Sequence, residues 1–229
     1  MVHERLSFAE LNGTRQAVAE ALASVSAHPD AAATLGVSPN LTTEIARNLV
    51  LHTAPAAPAS RVYSGVLYDA LDHATLDGAA KRRANRWLVV VSALYGAVRP
   101  TDNIAPYRLS MAVNLPGVGP LASAWKPGLG RVLPVAAGRG VVVDCRSSTY
   151  AAAWTPEGDL AERWVQVRVP GATHMAKHTR GLVARHLCTV GRDVRLVPQL
   201  VDVLSGAFDV ALTEPARAGR PWVLDATAR

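Results

Sequence analysis

The chain has 229 residues, enough for one large or two small domains, and its 49% hydrophobic and 18% charged residues predict a globular protein with a core. Its 24 Lys and Arg against 18 Asp and Glu give a formal net charge of +6. This balance fits a polyanion such as nucleic acid, but it is also common in basic cytosolic proteins, so charge alone excludes neither class.

The N-terminal part of the chain is predicted to be helical. Residues 7–27 fit one helix, because Ser7 and Glu10 would form a capping box and apolar residues recur at helical spacing. A second helix is predicted to begin at Ser38, with a proline in its first turn and an apolar residue at every fourth position. The second helix would turn its apolar side to the core.

A polar helix and an apolar strand are predicted next. Residues 77–86 fit a helix in which Lys81, Arg82 and Arg83 stand together, as an exposed cationic cluster with few packing contacts and a candidate contact for nucleic acid. The β-branched run at 88–91 is long enough for a buried strand and too short to span a bilayer. We expect this run to be a central strand of the sheet.

The segment after this strand concentrates polar side chains. Two tyrosines, two arginines and a carboxylate follow in an irregular stretch, and a loop at the end of a buried strand is a frequent place for a binding site. The arginines could bind phosphate or another anion. The candidate ligands are Tyr95, Arg99, Tyr107 and Arg108, with Asp102 between them.

Residues 115–119, with the sequence LPGVG, allow two interpretations. The pattern is similar to the hairpin of helix-hairpin-helix modules, in which glycines let backbone N–H groups approach a DNA phosphate. Such a module needs a helix directly before the hairpin, and Pro106 leaves little room for one. The alternative is a plain turn that leads into a helix at 121–125.

The second half of the chain alternates strands and helices. The predicted elements are strands at 141–143, 164–169, 208–212 and 222–224 and a helix from 175 to about 190. Together with the first half, this mixture predicts an α/β or α+β fold, as a single domain over residues 1–229 with a mixed β-sheet flanked by helices.

The last predicted helix has cations along one edge. Lys177, Arg180 and Arg185 have almost no acidic neighbours, and a helix with a cationic edge suits contact with phosphates. A solvated helix face is the alternative. His174 and His178 stand four residues apart, as in zinc-binding helices, but two ligands do not make a site, so we expect no metal and no cofactor.

Polar residues also follow the strand at 141–143. Ser147 and Tyr150 lie in the stretch DCRSSTY and could contact a ligand. No Gly-x-Ser-x-Gly pattern surrounds Ser147, and no histidine is identifiable as its base, so the sequence gives no support for a serine nucleophile. The alternative is that these side chains hydrogen-bond the end of the strand.

The sequence carries no pattern typical of export or membrane insertion. The first residues show no signal-peptide pattern, and no apolar stretch reaches about 18 residues. Cys145 and Cys188 both have apolar neighbours, which favours small core residues over a disulfide. We therefore expect a cytoplasmic protein in a reducing compartment, without a membrane partner.

These motifs resemble those of the YaaA family of peroxide-stress proteins. The pattern LYGAVRPTDNIAPYRLSM at 94–111 looks like the family hallmark, and residues 63–68, Trp125, 144–150 and 176–182 also match. The resemblance extends over most of the chain. It implies a mixed α/β fold and a role in protecting DNA from hydrogen peroxide by keeping reactive iron low.

The chain departs from the family pattern at two places. Family members usually have an acidic residue directly before the tyrosine that corresponds to Tyr150, where this chain has Thr149. They also open with a short strand and a Ser-Pro-type loop that carries a lysine, whereas this chain starts with MVHER next to the first predicted helix. We therefore expect no family-type opening strand.

Two functions are open at this point. The first is a DNA-binding stress protein, in which Arg99, Arg108, Lys177, Arg180 and the cluster at 81–83 line a basic cleft for duplex or distorted DNA. The second is an enzyme for a small anionic substrate, a nucleotide or a phosphorylated metabolite. Its substrate would lie among Tyr95, Arg99, Arg108, Ser147, Tyr150, Lys177 and Arg180. An open groove would favour DNA, and a closed pocket would favour the metabolite.

Overall fold

The computed structural model describes residues 5–171 and 175–229. The α-helices are α1 (Asn12–Ser26), α2 (Ala31–Thr34), α3 (Thr42–Ala46), α4 (Ala59–Val62), α5 (Val66–Leu71), α6 (Gly78–Trp87), α7 (Leu121–Ala137), α8 (Ser148–Ala151), α9 (Met175–Val190) and α10 (Val197–Leu204). The strands are β1 (Ala57–Pro58), β2 (Val90–Ser92), β3 (Gly96–Val98), β4 (Asn103–Ile104), β5 (Asn114–Leu115), β6 (Gly119–Pro120), β7 (Val142–Asp144), β8 (Trp164–Arg168), β9 (Phe208–Thr213) and β10 (Trp222–Ala228). Short 3-10 helices occur at Ala9–Leu11, Arg47–Val50, His73–Thr75 and Gly158–Arg163. None of the described helices combines the length and the apolar character that crossing a membrane requires.

The chain divides into two compact units, each assembled from separated stretches of sequence. Unit 1 comprises Met1–Val62, Val89–Val132 and Arg146–Thr155, and unit 2 comprises Tyr63–Leu88, Leu133–Cys145 and Pro156–Arg229. The expectation of a single domain stays a prediction.

Unit 2 contains a mixed four-stranded sheet in the order β7-β8-β10-β9. Strands β7 and β10 run parallel to β8, and β9 runs antiparallel to β10. Buried apolar side chains of the strands, such as Val167 and Leu224, form one cluster with Val183 of α9 and Leu200 of α10. Because burial of such a side chain contributes about 1.5–3 kcal/mol, this cluster stabilises the packing of the sheet against the two helices.

Helix α9 packs closely against α5 within unit 2. A Cβ atom at Gly181 would lie 2.8 Å from the Cβ atom of Ala70 and would overlap the carbonyl oxygen of Leu67. The glycine therefore lets the two helix backbones approach each other.

Unit 1 has much shorter strands. They pair antiparallel in three two-stranded sheets, β1 with β4, β2 with β3 and β5 with β6. Its largest fully buried side chain is Trp125 of α7, and Leu11 and Leu22 are fully buried as well. Ladders of two or three residues supply few backbone hydrogen bonds, so other groups must satisfy the main chain.

Several sequence predictions are confirmed. The class is α/β with a mixed sheet flanked by helices. Strands β8 and β9 and helix α9 lie where the hydrophobic pattern predicts them. Helix α6 is also confirmed, because the Asp77 side chain accepts the backbone N–H of Ala80 at 2.7 Å and so caps its first turn.

Two predictions about the first helices are wrong. No capping box forms at Ser7, because its backbone N–H and hydroxyl donate to Asp102 and the helix begins after a 3-10 turn, at Asn12. The second helix does not begin at Ser38, since α3 starts only at Thr42. A competing long-range carboxylate outweighs the local capping signal in the first case.

Two further predictions are wrong in the middle of the chain. The run at 88–91 is not a central strand, because among the described residues β2 pairs with β3 alone. The LPGVG segment is not a helix-hairpin-helix, because residues 107–113 contain no helix and β5 and β6 form a plain hairpin before α7. The opening residues 1–4, where the family strand would lie, are outside the described residues.

Candidate anion-binding site

The loop with the predicted ligands begins at the hairpin between β2 and β3. Gly96 has φ +70°, and a Cβ atom there would lie 2.5 Å from Cζ3 of Trp125. The indole N–H of Trp125 donates to the carbonyl of Ala93 at 2.8 Å, which fixes the ring against the hairpin. Both the positive φ and the close approach require glycine at this position.

Tyr95 is fully buried and holds the far side of the loop. Its hydroxyl donates to the carbonyl of Ala105 at 3.0 Å and accepts the N–H of the same residue at 3.2 Å. Tyr107 packs edge-on against its ring with centroids 5.4 Å apart, and the Tyr107 hydroxyl shares a 2.8 Å hydrogen bond with Ser92. Burial raises the pKa of Tyr95 above its ordinary value, so this hydroxyl keeps its proton.

A buried carboxylate positions Arg99. Oδ2 of Asp102 accepts the backbone N–H of Arg99 at 2.8 Å, while Oδ1 accepts the N–H and hydroxyl of Ser7 at 3.1 and 2.9 Å. The Arg99 guanidinium lies 5.4 Å from the ring centroid of Phe8. Burial lowers the pKa of Arg99, and the charge of Asp102 opposes that shift. Arg99 is therefore half-buried and partly balanced by an acid.

A second arginine of unit 1 is fully buried and bonds the same hairpin. Nε of Arg15 donates to the carbonyl of Tyr95 at 2.9 Å, and Nη2 donates to the carbonyls of Ala97 and Ser7 at 2.8 and 2.7 Å. Nη1 donates to Oδ1 of Asn12 at 2.8 Å. Burial lowers the pKa of Arg15 to about 10, which leaves it charged at neutral pH.

Arg108 combines an exposed side chain with a fixed backbone. Its N–H donates to Oδ1 of Asn48 at 2.8 Å, and its carbonyl accepts from Nδ2 of Asn48 at 3.0 Å. Asn48 is fully buried and also donates to Oγ of Ser26 at 3.0 Å. The side-chain amide thus replaces a neighbouring strand for this residue.

Tyr150 lies near Arg108, on the short helix α8. Burial raises the pKa of Tyr150, while a hydrogen bond from the Met111 backbone and the charge of Arg108 oppose the shift. Ser147 is the exposed residue directly before α8. The Arg146 guanidinium lies 5.3 Å from the ring centroid of Trp154.

The cations of α9 lie in unit 2 and differ in their partners. Lys177 is exposed in the first turn. Nε of Arg180 donates to the carbonyl of Val167 in β8 at 3.0 Å. Arg185 donates to two carbonyls at the C-terminal end of α5, at 2.9 and 2.8 Å.

The cluster on α6 contains one exposed cation and two cations bonded to the backbone. Lys81 donates to a carbonyl of the preceding 3-10 helix at 2.9 Å, and Arg83 donates to carbonyls in the last turn of α9 at 2.7 and 3.0 Å. The expectation of few packing contacts is therefore wrong for Arg83. Because a helix rises 1.5 Å per residue, this end of α9 is about 16 Å along the axis from Lys177. Arg82 is exposed.

The remaining chemistry-bearing residues of the second half bond within unit 2. The buried carboxylate of Asp144 accepts the indole N–H of Trp164 at 3.1 Å. Cys145 and Cys188 are free thiols. Over residues 5–171 and 175–229, no three or more His, Cys, Asp or Glu side chains are grouped in a way that could hold a metal ion. His174 lies outside the described residues.

The structure brings some predicted ligands together and divides others. In unit 1 it places Tyr95 against Tyr107, and Tyr150 near Arg108. The four cations expected at one anion are divided, since Arg99 and Arg108 belong to unit 1 while Lys177 and Arg180 belong to unit 2. Their shared site stays a prediction.

Sequence reasoning did not identify Arg15 and Asn48. Each had a signal, because each is polar on the apolar side of a helical stretch. Arg15 stands four residues after the buried Leu11, and Asn48 stands three residues after the buried Ile45. A polar residue at such a position is buried only when it finds partners, so it marks a structural bond.

The fold and the loop define the class as an α/β protein whose arginine- and tyrosine-bearing loop is held by buried polar side chains. The model of the family described as peroxide stress protein YaaA matches residues 3–206, so the chain belongs to the YaaA peroxide-stress protein family. A UPF0246 protein of Streptomyces coelicolor is 46% identical over 96% of this chain and 88% of its own length. UPF0246 proteins of Corynebacterium efficiens and Corynebacterium glutamicum strain R are 36% and 34% identical, over 88% and 92% of this chain and 83% and 86% of their own lengths.

Proposed function

We propose that this protein acts in the cytoplasmic response to hydrogen peroxide by binding duplex or distorted DNA through its phosphates. Membership of the YaaA family supports the peroxide-stress part. We propose that its cellular role is to keep free iron low, which would spare the bound DNA from oxidation. The DNA contacts would come from Arg99 and the exposed Arg108 in unit 1, and from Arg180 and the exposed Lys177 and Arg82 in unit 2.

The observation that carries the proposal is the kind of partner that Arg180 and Arg83 have. Arg180 and Arg83 donate to backbone carbonyls instead of carboxylates. A carbonyl orients a guanidinium but does not neutralise it, so the positive charge remains available to a polyanion. The excess of 24 Lys and Arg over 18 Asp and Glu acts in the same direction.

A second candidate function is an enzyme for a small anionic substrate, such as a nucleotide or a phosphorylated metabolite. Tyr150 favours it, because a half-buried hydroxyl close to the charge of Arg108 suits one bound anion better than a DNA surface. The catalytic group of such an enzyme is unknown.

A paired measurement separates the two functions. Duplex, junction and single-stranded DNA are titrated at several salt concentrations with the wild type, Arg99→Ala and Arg180→Ala. If DNA is the ligand, each variant binds all sequences more weakly, and the slope of log K against log salt falls by about one phosphate contact. If a metabolite is the ligand, DNA affinity changes little, while phosphate or nucleotide raises the Tm of the wild type and of neither variant.

Arg195→Ala is the matched control, since Arg195 is exposed and its charge is paired with Asp193 at 2.8 Å. It should bind DNA as the wild type does. Wild-type behaviour of Arg99→Ala and Arg180→Ala in both assays would show that the two arginines are structural.

Arg82→Glu tests the cluster on α6. It is cleaner than reversal of the whole cluster, because Lys81 and Arg83 also make structural hydrogen bonds. We expect weaker DNA binding with an unchanged Tm. Unchanged affinity removes this cluster from the interface.

A further inference from the structure

The backbone of Arg108 is fixed by a side chain, although Arg108 lies outside the regular secondary structure. Residues 105–110 belong to no strand or helix, and the side chain of Arg108 is exposed. Nevertheless, both its N–H and its carbonyl are bonded to the amide of Asn48. An exposed loop residue normally satisfies these groups with water.

The amide of Asn48 can take only one orientation. Both hydrogens of Nδ2 are used, one on the carbonyl of Arg108 and one on Oγ of Ser26. A flipped amide would place its oxygen against the Arg108 carbonyl and its nitrogen against the Arg108 N–H. Because Asn48 is fully buried, water cannot take over these bonds.

We propose that Asn48 is a positioning residue that fixes Arg108 so that its guanidinium binds a phosphate oxyanion. The proposal deepens the proposed function and rests on its phosphate chemistry. The phosphate can belong to DNA or to a free anion.

Arg108 suits such a ligand, because its guanidinium is exposed and a guanidinium can donate two hydrogen bonds to phosphate oxygens. A fixed backbone lowers the entropy that Arg108 loses on binding, which raises affinity without a new contact.

The alternative role of Asn48 is to fill and satisfy the core of unit 1. In that case its loss lowers stability and affects binding independently of Arg108. Coupling between the two residues separates the roles.

The test is a double-mutant cycle on the whole chain. Wild type, Asn48→Ala, Arg108→Ala and the double variant are titrated with duplex DNA and with inorganic phosphate. We expect each single substitution to weaken phosphate binding about tenfold. The double variant should bind no more weakly than Arg108→Ala, because Asn48 acts through Arg108.

Leu35→Ala is the control for a purely structural loss. Leu35 is a buried apolar residue of unit 1, so its removal should lower the Tm and leave the affinity unchanged. Where Asn48→Ala does not fold, Asn48→Asp takes its place, because it keeps the acceptor for the Arg108 N–H and loses the donor to the carbonyl. A smaller but coupled loss is expected for it.

Each outcome decides. The positioning role is overturned if the Asn48 variants bind with wild-type affinity, if the losses in the double variant are additive, or if both Asn48 variants fail to fold. In each of these cases DNA binding by the wild type stands. Coupled losses for phosphate with no binding of DNA support the positioning role and overturn the DNA function. A wild type that binds neither probe overturns both.

Discussion

The two units of this protein hold their backbones by different means. In unit 2, a four-stranded ladder and one apolar cluster carry the sheet. In unit 1, ladders of two or three residues are supplemented by buried polar side chains that bond the main chain of the loop. These side chains are Arg15, Asn48, Tyr95 and Asp102.

This difference explains where the candidate ligands lie. A side chain that bonds the main chain can hold an irregular backbone, and an irregular backbone can present residues such as Arg108 in directions that a strand cannot. The same device is sensitive, because a buried carbonyl or N–H that loses its partner costs about 1–3 kcal/mol. An apolar cluster instead tolerates changes that conserve volume.

The largest expected effect is the loss of Arg15. Arg15→Met removes the guanidinium donor from two buried carbonyls and one half-buried carbonyl, so we expect the free energy of unfolding to fall by about 4 kcal/mol. Arg83→Met is the matched variant in unit 2. It also removes an arginine from backbone carbonyls, but at a half-exposed site where water can replace it, and should cost about 1 kcal/mol. Urea denaturation measures both, and equal losses contradict the contrast between the units.

Gly96→Val should have the next largest effect, about 3 kcal/mol, because it adds a positive φ for a β-branched residue to a collision with Trp125. Gly36→Val is the control, since Gly36 has φ +62° and open space around its Cα. Its free energy of unfolding should fall by only about 1 kcal/mol, because the substitution strains the backbone conformation but collides with nothing. Wild-type melting of Gly96→Val would show that the hairpin does not need its glycine.

In unit 2 stability should be sensitive to added side-chain volume between the packed helices α5 and α9. Gly181→Ala is expected to lower the free energy of unfolding by about 2 kcal/mol, because the added methyl group meets Ala70 and the Leu67 carbonyl. Gly130→Ala on α7, in unit 1, is the control with open space, because nothing lies within 4 Å of the new Cβ. It should raise stability by about 0.5–1 kcal/mol through helix propensity. A stabilised Gly181→Ala protein would mean that α5 and α9 do not pack closely.

The smallest effect at neutral pH concerns the two thiols of unit 2. Burial raises the pKa of Cys145 to about 12 and of Cys188 to about 11, from 9.0. The folded state therefore holds these protons above pH 9.0 while the unfolded chain releases them, so stability should fall as pH rises from 9.0 towards 11. At pH 8, iodoacetamide should modify both thiols slowly in the folded protein and rapidly in urea. Rapid modification without urea contradicts their burial.

The sequence predicts the regular part of the fold well, because its signals are local. The alternation in β8 and the apolar periodicity of α9 need no information from distant residues. Asp77 likewise predicts the start of α6, because the backbone N–H that its side chain accepts, that of Ala80, lies only three residues away.

The loop of unit 1 escapes prediction for the opposite reason. Asn48 bonds the backbone of Arg108, and Arg15 bonds the backbone of Tyr95, in each case across at least 60 residues of sequence. Main-chain groups have no sequence signature, so the local pattern can mark Arg15 and Asn48 as bonded but cannot indicate their partners. The same competition moved Ser7 from its expected cap to Asp102.

The motif residues themselves were identified from the sequence, but their arrangement was not. Tyr95 and Tyr107 stand in the motif, yet their ring contact depends on the fold of the whole loop. The sequence equally gave no sign that Arg83 bonds the end of α9. The sequence therefore identifies the candidate ligands but does not predict their contacts.

Native-state hydrogen exchange of backbone amides tests the contrast between the units most directly. The amides outside regular ladders that side chains bond include those of Ser7 and Arg99, bonded by Asp102, that of Ala105, bonded by Tyr95, and that of Arg108, bonded by Asn48. If buried polar side chains hold unit 1 as firmly as the ladder holds unit 2, these amides exchange nearly as slowly as those paired between β8 and β10. Exchange at the rate of an unstructured chain, while the amides of β8 and β10 stay protected, would contradict that conclusion.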